Sequence, residues 1–283
     1  MTTMKIVIAS GKGGTGKTTI AVNLALTLGE CTLVDCDVEE PNCALFLDAK
    51  MKKQEDVTLP VPVFDLDICT YCGECASFCM YNAIAVFPKK LVFFPDLCHS
   101  CGGCEIVCPV NAISENERKI GEIDKGEIGQ LTIFHGRLDI GEPLATPLIR
   151  RVKTFAVNDP LVIYDAPPGT ACPVIDTIKD SDIALLVTEP TPFGLHDLKL
   201  AVEVIRGMDI PFGVVINRDG AGNDCVERYC REEGIEIIMR IPQDRKIAEL
   251  YSRGIPFTTE LKDYRKMFRQ AYDRMVEIVE VGQ

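Results

Sequence analysis

The chain has 283 residues, with 30 basic and 42 acidic side chains, a net charge of −12 and a pI of about 4.8. This excess of acid argues against nucleic acid or an anionic membrane as the main partner. No apolar run approaches the ~18 residues of a membrane span, so we expect a cytoplasmic protein without stable membrane insertion.

Short apolar runs recur along the chain without polar alternation, as expected of parallel strands that are covered on both faces. These predicted strands lie at 5–9, 31–37, 161–167, 183–190, 212–217 and 235–242. Helices are predicted at 17–29, 146–156, 172–180, 195–208, 222–233, 244–252 and 263–281. The alternation predicts an α/β fold with a doubly wound, mostly parallel sheet.

The alternation stops between about 57 and 140. The proline-punctuated stretch "VTLPVPVFDLD" leads into a cysteine-rich segment, and the polar stretch "ENERKIGEIDKGEIGQ" follows it as a predicted hairpin or loop. We therefore predict a small domain at 64–115 that is inserted into a larger domain made of 1–63 and 116–283.

The cysteine-rich segment contains an internal repeat. "ICTYCGECASFCMYNAI" (68–84) aligns with "LCHSCGGCEIVCPVNAI" (97–113) at an offset of 29, and both copies contain C-x2-C-x2-C-x3-C. Bacterial ferredoxins use this run for two [4Fe–4S] clusters, and the fourth cysteine of each run ligates the other cluster. The predicted ligands are Cys69, Cys72, Cys75 and Cys108 for one cluster, and Cys98, Cys101, Cys104 and Cys79 for the second.

Two other interpretations of this segment are a pair of zinc sites and a reduced disulfide framework. Zinc sites usually pair two-cysteine knuckles across a longer loop, whereas here three thiols follow in succession. The segment resembles a two-[4Fe–4S] ferredoxin over about 64–115, which implies an α+β ferredoxin-like domain. It departs from the pattern at Met80, which occupies the position that Pro109 has in the second repeat.

Six cysteines lie outside the repeat. Most are predicted to be structural core residues. Cys172 follows a predicted nucleotide-sensing loop, and a bridging cluster or a reactive thiol between two copies of the chain is the less favoured alternative for it. The six are Cys31, Cys36, Cys43, Cys172, Cys225 and Cys230.

A glycine-rich loop, "GKGGTGKT" (11–18), fits G-x4-G-K-[ST] and lies between a predicted strand and a predicted helix. Its backbone N–H groups are expected to hold the β-phosphate of ATP. Lys17 is expected to contact the β- and γ-phosphates, and the Thr18 hydroxyl to bind Mg²⁺. The predicted ATP-binding residues of the loop are Gly11, Lys12, Gly13, Gly14, Thr15, Gly16, Lys17, Thr18 and Thr19.

The second lysine of this loop, Lys12, gives the pattern K-G-G-x-G-K-[ST]. Here the sequence resembles the deviant Walker A ATPases of the MinD/ParA/Mrp/nitrogenase-iron-protein superfamily. In that family the early lysine reaches the nucleotide of the other subunit. The resemblance therefore implies an ATP-sandwich homodimer in which Lys12 and Lys17 act on the transferred phosphoryl group.

Four further segments match that family in chain order. Asp37 in "DCDVEEPN" resembles the water-positioning aspartate, which makes it a catalytic candidate. Asp165 in "YDAPPG" resembles the acid that holds a magnesium-bound water, and Gly169 lies where the γ-phosphate is sensed. Asn217 and Pro242 match the asparagine and the late loop that contact the adenine.

The combination predicts an ATP hydrolase whose nucleotide-dependent dimer controls electron transfer through two [4Fe–4S] clusters to a redox protein or metalloprotein. The alternative is an Mrp-like ATPase that assembles or carries iron–sulfur clusters or metallocofactors. A MinD-like spatial regulator is less favoured, because the C-terminal helix is not basic and amphipathic. The expected cofactors are ATP, Mg²⁺ and two [4Fe–4S] clusters, with no nucleic-acid partner.

Overall fold

The computed structural model describes residues 3–282, which form two compact units. The first unit consists of the chain up to Gln54, Ile123–Arg137 and the chain from Thr146 onwards. The second unit consists of Glu55–Glu122 and Leu138–Ala145. The predicted insert at 64–115 lies inside the second unit.

The strands, in chain order, are β1 Met4–Ala9, β2 Cys31–Asp35, β3 Lys52–Phe64, β4 Ile84–Phe87, β5 Lys90–Phe93, β6 Ile113–Ile128, β7 Leu131–Leu138, β8 Leu161–Asp165, β9 Ile183–Thr188, β10 Phe212–Asp219 and β11 Ile237–Pro242. The helices are α1 Lys17–Leu28, α2 Cys43–Leu47, α3 Glu74–Phe78, α4 Gly103–Ile106, α5 Ala145–Lys153, α6 Cys172–Ile178, α7 Pro192–Arg206, α8 Cys225–Glu232, α9 Arg245–Ser252, α10 Phe257–Glu260 and α11 Lys262–Gly282.

The larger sheet has the strand order β11-β10-β9-β1-β8-β2-β7-β6-β3, and the first unit is built on its strands from β11 to β7. All neighbours from β11 to β7 pair in parallel. The strands β1, β2, β8 and β9 are almost wholly buried, which explains their uninterrupted apolar sequences. The prediction of an α/β fold with a large, mostly parallel sheet is confirmed.

The register of the central strands brings acidic residues together at one edge. Asp35 ends β2 and lies opposite Asp165, the last residue of β8. On the other side of β2, Asp35 lies opposite His135 of β7. Because the carboxyl ends of parallel strands meet at the same edge, these side chains border the loop that follows β1.

Nine elements have no counterpart among the predicted strands and helices, and these are β3, β4, β5, β6, β7, α2, α3, α4 and α10. The polar stretch at 115–130 belongs to the long strand β6, which a two-residue turn connects to β7. The strand β3 includes Pro60 and Pro62, and it occupies the end of the strand order, where proline is tolerated. The helices α2 and α10 of the first unit are short, with five and four residues.

The second unit contains the cysteine repeat. Its two short helices, α3 and α4, occur at equivalent positions of the two copies, and β4 and β5 form an antiparallel hairpin. A small core of Cys75, Ile84 and Ile113 packs under partly buried aromatic and aliphatic side chains. This unit has twelve acidic and four basic residues, so it accounts for −8 of the net charge of −12.

Candidate nucleotide site and cysteine-lined cavities

The glycine-rich loop joins β1 to α1 and depends on residues without side chains. Gly14 and Gly16 have φ values of 78° and 97°, in the left-handed region. A Cβ atom at Gly16 would lie 2.4 Å from Asn217 Nδ2, and one at Gly11 would lie 2.1 Å from the backbone oxygen of Asp197. Glycine is therefore required here both for backbone conformation and for close packing against neighbouring elements.

Lys17 is buried at the start of α1, and burial lowers the pKa of its ammonium group although Asp165 and Asp37 oppose that shift. The Thr18 hydroxyl donates to Asp165 Oδ2 at 2.6 Å. Asp165 is fully buried, and its Oδ1 has no hydrogen-bond donor among the described residues. A buried carboxylate oxygen without a donor, beside a hydroxyl, suits Mg²⁺ or a water molecule bound to it.

A second buried carboxylate shapes the segment that follows β2. Asp35 Oδ1 accepts from the backbone N–H of Asp37 at 3.1 Å, and Asp35 Oδ2 accepts from those of Asn42 and Cys43, each at 2.9 Å. The Cys43 thiol donates to Asp165 Oδ2 at 3.4 Å. Burial raises the pKa of both Asp35 and Asp165, and Asp35 raises that of Asp165 further.

A cavity of about 540 Å³ opens over the loop, a size typical of small-molecule sites. The structure brings nine of the predicted site residues to its wall, and these are Gly13, Gly14, Gly16, Lys17, Thr18, Thr19, Asp37, Asn217 and Pro242. The sequence did not single out the aromatic residues of the same wall. Phe46 and Tyr251 pack there with ring centroids 5.3 Å apart, and Phe257 lies beside them.

The remaining predicted residues of this site lie around the cavity. Gly11, Lys12 and Thr15 belong to the loop, and Thr15 is buried beneath it. Lys12 is half-buried, and its backbone oxygen accepts from the Ser10 hydroxyl at 2.5 Å. Gly169 has a φ of 98°, and its N–H donates to the backbone oxygen of Ser10 at 3.2 Å. The predicted sensing loop is therefore bonded to the end of β1.

Two of the predicted residues in the cavity wall, Asn217 and Asp37, have distinct local environments. The Asn217 amide donates from Nδ2 to the backbone oxygen of Thr15 at 2.8 Å, so it ties β10 to the glycine loop. Asp37 is half-buried, and burial, followed by the charge of Asp35, raises the pKa of Asp37 to about 6. The Asp37 carboxylate is therefore more readily protonated than an exposed aspartate.

The second unit contains two cavities, and each includes four cysteines in its wall. Cys69, Cys72, Cys75 and Cys108 line one. Cys79, Cys98, Cys101 and Cys104 line the other, beside a stacked pair of Tyr81 and His99 with ring centroids 3.5 Å apart. The fourth cysteine of each repeat thus faces the cavity of the other repeat.

The backbone around these cysteines repeats at the same offset of 29. The N–H of Tyr71 donates to Cys69 Sγ at 3.4 Å, and that of Ser100 donates to Cys98 Sγ at 3.5 Å. Tyr71 and Ser100 both adopt left-handed φ values, of 58° and 53°. Thiolates that ligate iron–sulfur clusters accept such N–H bonds, so the local geometry fits that group.

None of the fourteen cysteines forms a disulfide bond in the structure, which describes all of them. Outside the repeat, Cys31, Cys36, Cys43 and Cys230 are buried, as predicted for Cys31 and Cys36. Cys172 is exposed at the start of α6, and Cys225 is half-buried. Among residues 3–282, no helix is long and apolar enough to cross a membrane.

Known proteins resemble this chain over most of its length. The family model described as "CobQ/CobB/MinD/ParA nucleotide binding domain" matches residues 6–257. An uncharacterized protein of Methanocaldococcus jannaschii is 33% identical over 282 residues, covering 98% of both chains. An iron-sulfur cluster carrier protein of the same organism is 26% identical over 298 residues, covering 98% of this chain and 85% of that protein.

Among solved structures, the septum site-determining protein MinD of Pyrococcus horikoshii, complexed with Mg-ADP, superposes with a TM-score of 0.61 at 19% identity and covers 99% of each chain. At that identity the likeness shows the fold alone. The family model, in contrast, covers far more than half of the chain and includes the glycine loop, Asp37, Asp165 and Asn217. The chain belongs to the CobQ/CobB/MinD/ParA family of nucleotide-binding domains.

Proposed function

We propose that this protein hydrolyses ATP and uses the nucleotide state to control electron transfer through two [4Fe–4S] clusters to a partner protein. The observation that carries the proposal is the pair of separate cavities, each lined by four cysteines of one chain that also contains the nucleotide site. Four cysteines can complete the iron coordination of one [4Fe–4S] cluster without a ligand from a second chain.

The residues of the first unit suit phosphoryl transfer. The loop N–H groups and Lys17 would bind the phosphates, while Thr18 and Asp165 would hold Mg²⁺, Asp165 through a water molecule. Asp37 would orient the attacking water from the cavity wall. Lys12, which belongs to the loop but not to the cavity wall, would serve the nucleotide of a second copy in a homodimer.

The chain connection offers a route for coupling. The segment that begins after Asp35 contains Asp37 and leads through α2 into β3, where the second unit begins. The chain returns through β6 and β7, and β7 pairs with β2 in register at Asp35. If the segment after β2 changes its conformation when ATP is bound or hydrolysed, that change would therefore act on strands that continue into the second unit.

The second candidate function is an iron–sulfur cluster carrier. It is favoured by the 26% identity with the carrier protein of Methanocaldococcus jannaschii. A carrier must release its cluster, whereas an electron-transfer protein keeps it through many redox cycles. Incubation of the reconstituted protein with an apo-ferredoxin and ATP distinguishes them, because transfer of iron to the apo-protein supports the carrier and retention supports electron transfer.

The central test is an EPR redox titration of the anaerobically reconstituted protein with and without a non-hydrolysable ATP analogue. We expect the midpoint potential of at least one cluster to shift when the analogue binds. The matched control is Lys17→Ala, in which the analogue should leave both potentials unchanged. Equal potentials with and without nucleotide in the unaltered protein would contradict the coupling.

A further inference from the structure

The Cys43 thiol occupies an unusual place for a sulfur atom. Cys43 begins α2 and is fully buried between the two carboxylates at the ends of β2 and β8. Three possible ligand atoms lie within 4.8 Å of one another here, one each from Asp35, Cys43 and Asp165. The arrangement therefore combines one soft donor and two hard donors at a single point.

The spacing of these atoms fits metal coordination. Cys43 Sγ lies 3.4 Å from Asp165 Oδ2. In a tetrahedral site with metal–sulfur and metal–oxygen bonds of about 2.3 and 2.1 Å, the sulfur and the oxygen are about 3.6 Å apart. These two atoms are thus nearly at the separation that a shared ion requires.

A second observation concerns the same carboxylate, whose other oxygen, Oδ2, faces the thiol. Asp165 has no exposed surface, and its Oδ1 lacks a hydrogen-bond donor among the described residues. A buried carboxylate oxygen is costly when nothing pairs with it, and a cation removes that cost.

We propose that Asp35, Cys43 and Asp165 form a binding site for a borderline divalent cation such as Zn²⁺ or Fe²⁺, and that this ion excludes Mg²⁺-nucleotide. Mg²⁺ prefers oxygen ligands, whereas a thiolate selects softer ions. When the cation binds, the Cys43 thiol releases its proton to solvent and the resulting thiolate ligates the cation.

The proposed cation and the nucleotide-bound Mg²⁺ would compete because both need the carboxylate of Asp165. The oxygen of Asp165 that faces the thiol, Oδ2, is also the one that accepts from the Thr18 hydroxyl. Thr18 and Asp165 are the groups that we assign to Mg²⁺. An ion that is held directly by Asp165 and Cys43 would therefore occupy the carboxylate that the nucleotide-bound magnesium needs. It would also take away the hydrogen-bond acceptor that positions the Thr18 hydroxyl.

The test measures Zn²⁺ inhibition of ATP hydrolysis at fixed Mg²⁺, with the cluster-loaded protein and each variant normalised to its own rate without zinc. We expect Cys43→Ser to raise the inhibitory Zn²⁺ concentration by at least about tenfold. Cys230→Ser, the same change at a buried thiol of α8, should keep the original sensitivity. Equal sensitivity of Cys43→Ser and the unaltered protein would overturn the proposal.

A second measurement does not depend on hydrolysis. Co²⁺ is added to the nucleotide-free, cluster-loaded protein, and the absorption spectrum of Cys43→Ala is subtracted from that of the unaltered protein. We expect a thiolate-to-cobalt charge-transfer band in this difference spectrum, and we expect excess Mg²⁺-ATP to abolish it. A flat difference spectrum would refute direct ligation by Cys43, even if the ATPase behaves as proposed.

Discussion

One partly buried ammonium group, that of Lys153, holds the end of α6 through hydrogen bonds. The loss of stability that follows from its removal can be calculated from these bonds. Lys153 of α5 donates to the backbone oxygens of Asp176, Thr177 and Lys179 at 2.8, 2.8 and 2.6 Å. These carbonyls belong to the last turn of α6 and the residue after it, which lack partners within the helix. The ammonium also lies 4.8 Å from the ring centroid of Tyr164.

We expect Lys153→Met to destabilise α6 by about 2 kcal/mol. Three lost hydrogen bonds cost about 1 kcal/mol each in net terms. Part of that loss is recovered because burial disfavours the charged form of Lys153, as the lowered pKa of its ammonium shows. Methionine keeps the length and the apolar packing of the side chain.

Hydrogen–deuterium exchange of residues 172–180 measures this effect locally. A loss of about 2 kcal/mol corresponds to exchange that is about 30-fold faster if these amides exchange by local opening. The control is Lys266→Met, at an exposed lysine of α11. Unchanged exchange in the Lys153 variant, or an equal acceleration over the whole chain, would refute the local role of the ammonium.

Three further predictions concern the proposed function. Lys12→Ala should retain nucleotide binding, measured by fluorescent-nucleotide titration, but lose ATP-dependent dimerisation and hydrolysis; unchanged turnover would contradict the sandwich model. Cys101→Ser should lower the iron content from about eight to about four per chain, because its cavity shares no cysteine with the other; eight irons would contradict the ligand sets. The raised pKa of Asp37, about 6, predicts that kcat/KM for ATP falls as the pH drops below about 6 and this carboxylate is protonated. The Asp37→Asn variant should hydrolyse ATP slowly at every pH, and its kcat/KM should not fall further below about pH 6. If the variant shows the same fall as the unaltered protein, protonation of Asp37 is not the cause of it.

The sequence predicted the central strands well because each is buried on both faces and therefore apolar throughout. It was less informative for β3, whose Pro60 and Pro62 suggested an irregular segment. The structure places this strand at the end of the strand order, where a missing N–H need not break a ladder of hydrogen bonds. The polar stretch at 115–130, predicted as a hairpin or loop, forms most of the long strand β6, and its length was not predictable because the exposed first half lacks an apolar pattern.

The candidate sites show the same contrast. The glycine loop and the cysteine repeat are readable because their chemistry depends on fixed spacings along the chain. The sequence does not distinguish Cys43 from the other five cysteines outside the repeat, because no neighbouring motif indicates a function for it. Its place beside Asp165 depends on the turn into α2, which backbone N–H groups form around the Asp35 carboxylate, and 122 positions separate the two residues.

The uneven distribution of charge affects how a partner would approach. The smaller unit has a net charge of −8, against −4 for the much larger remainder. A protein with a basic face would therefore be drawn towards the cysteine-containing unit before contact, and its association rate would fall steeply with added salt. An acidic protein of the same size would be slowed by the same field, so long-range attraction would select among redox proteins by the sign of their surface charge.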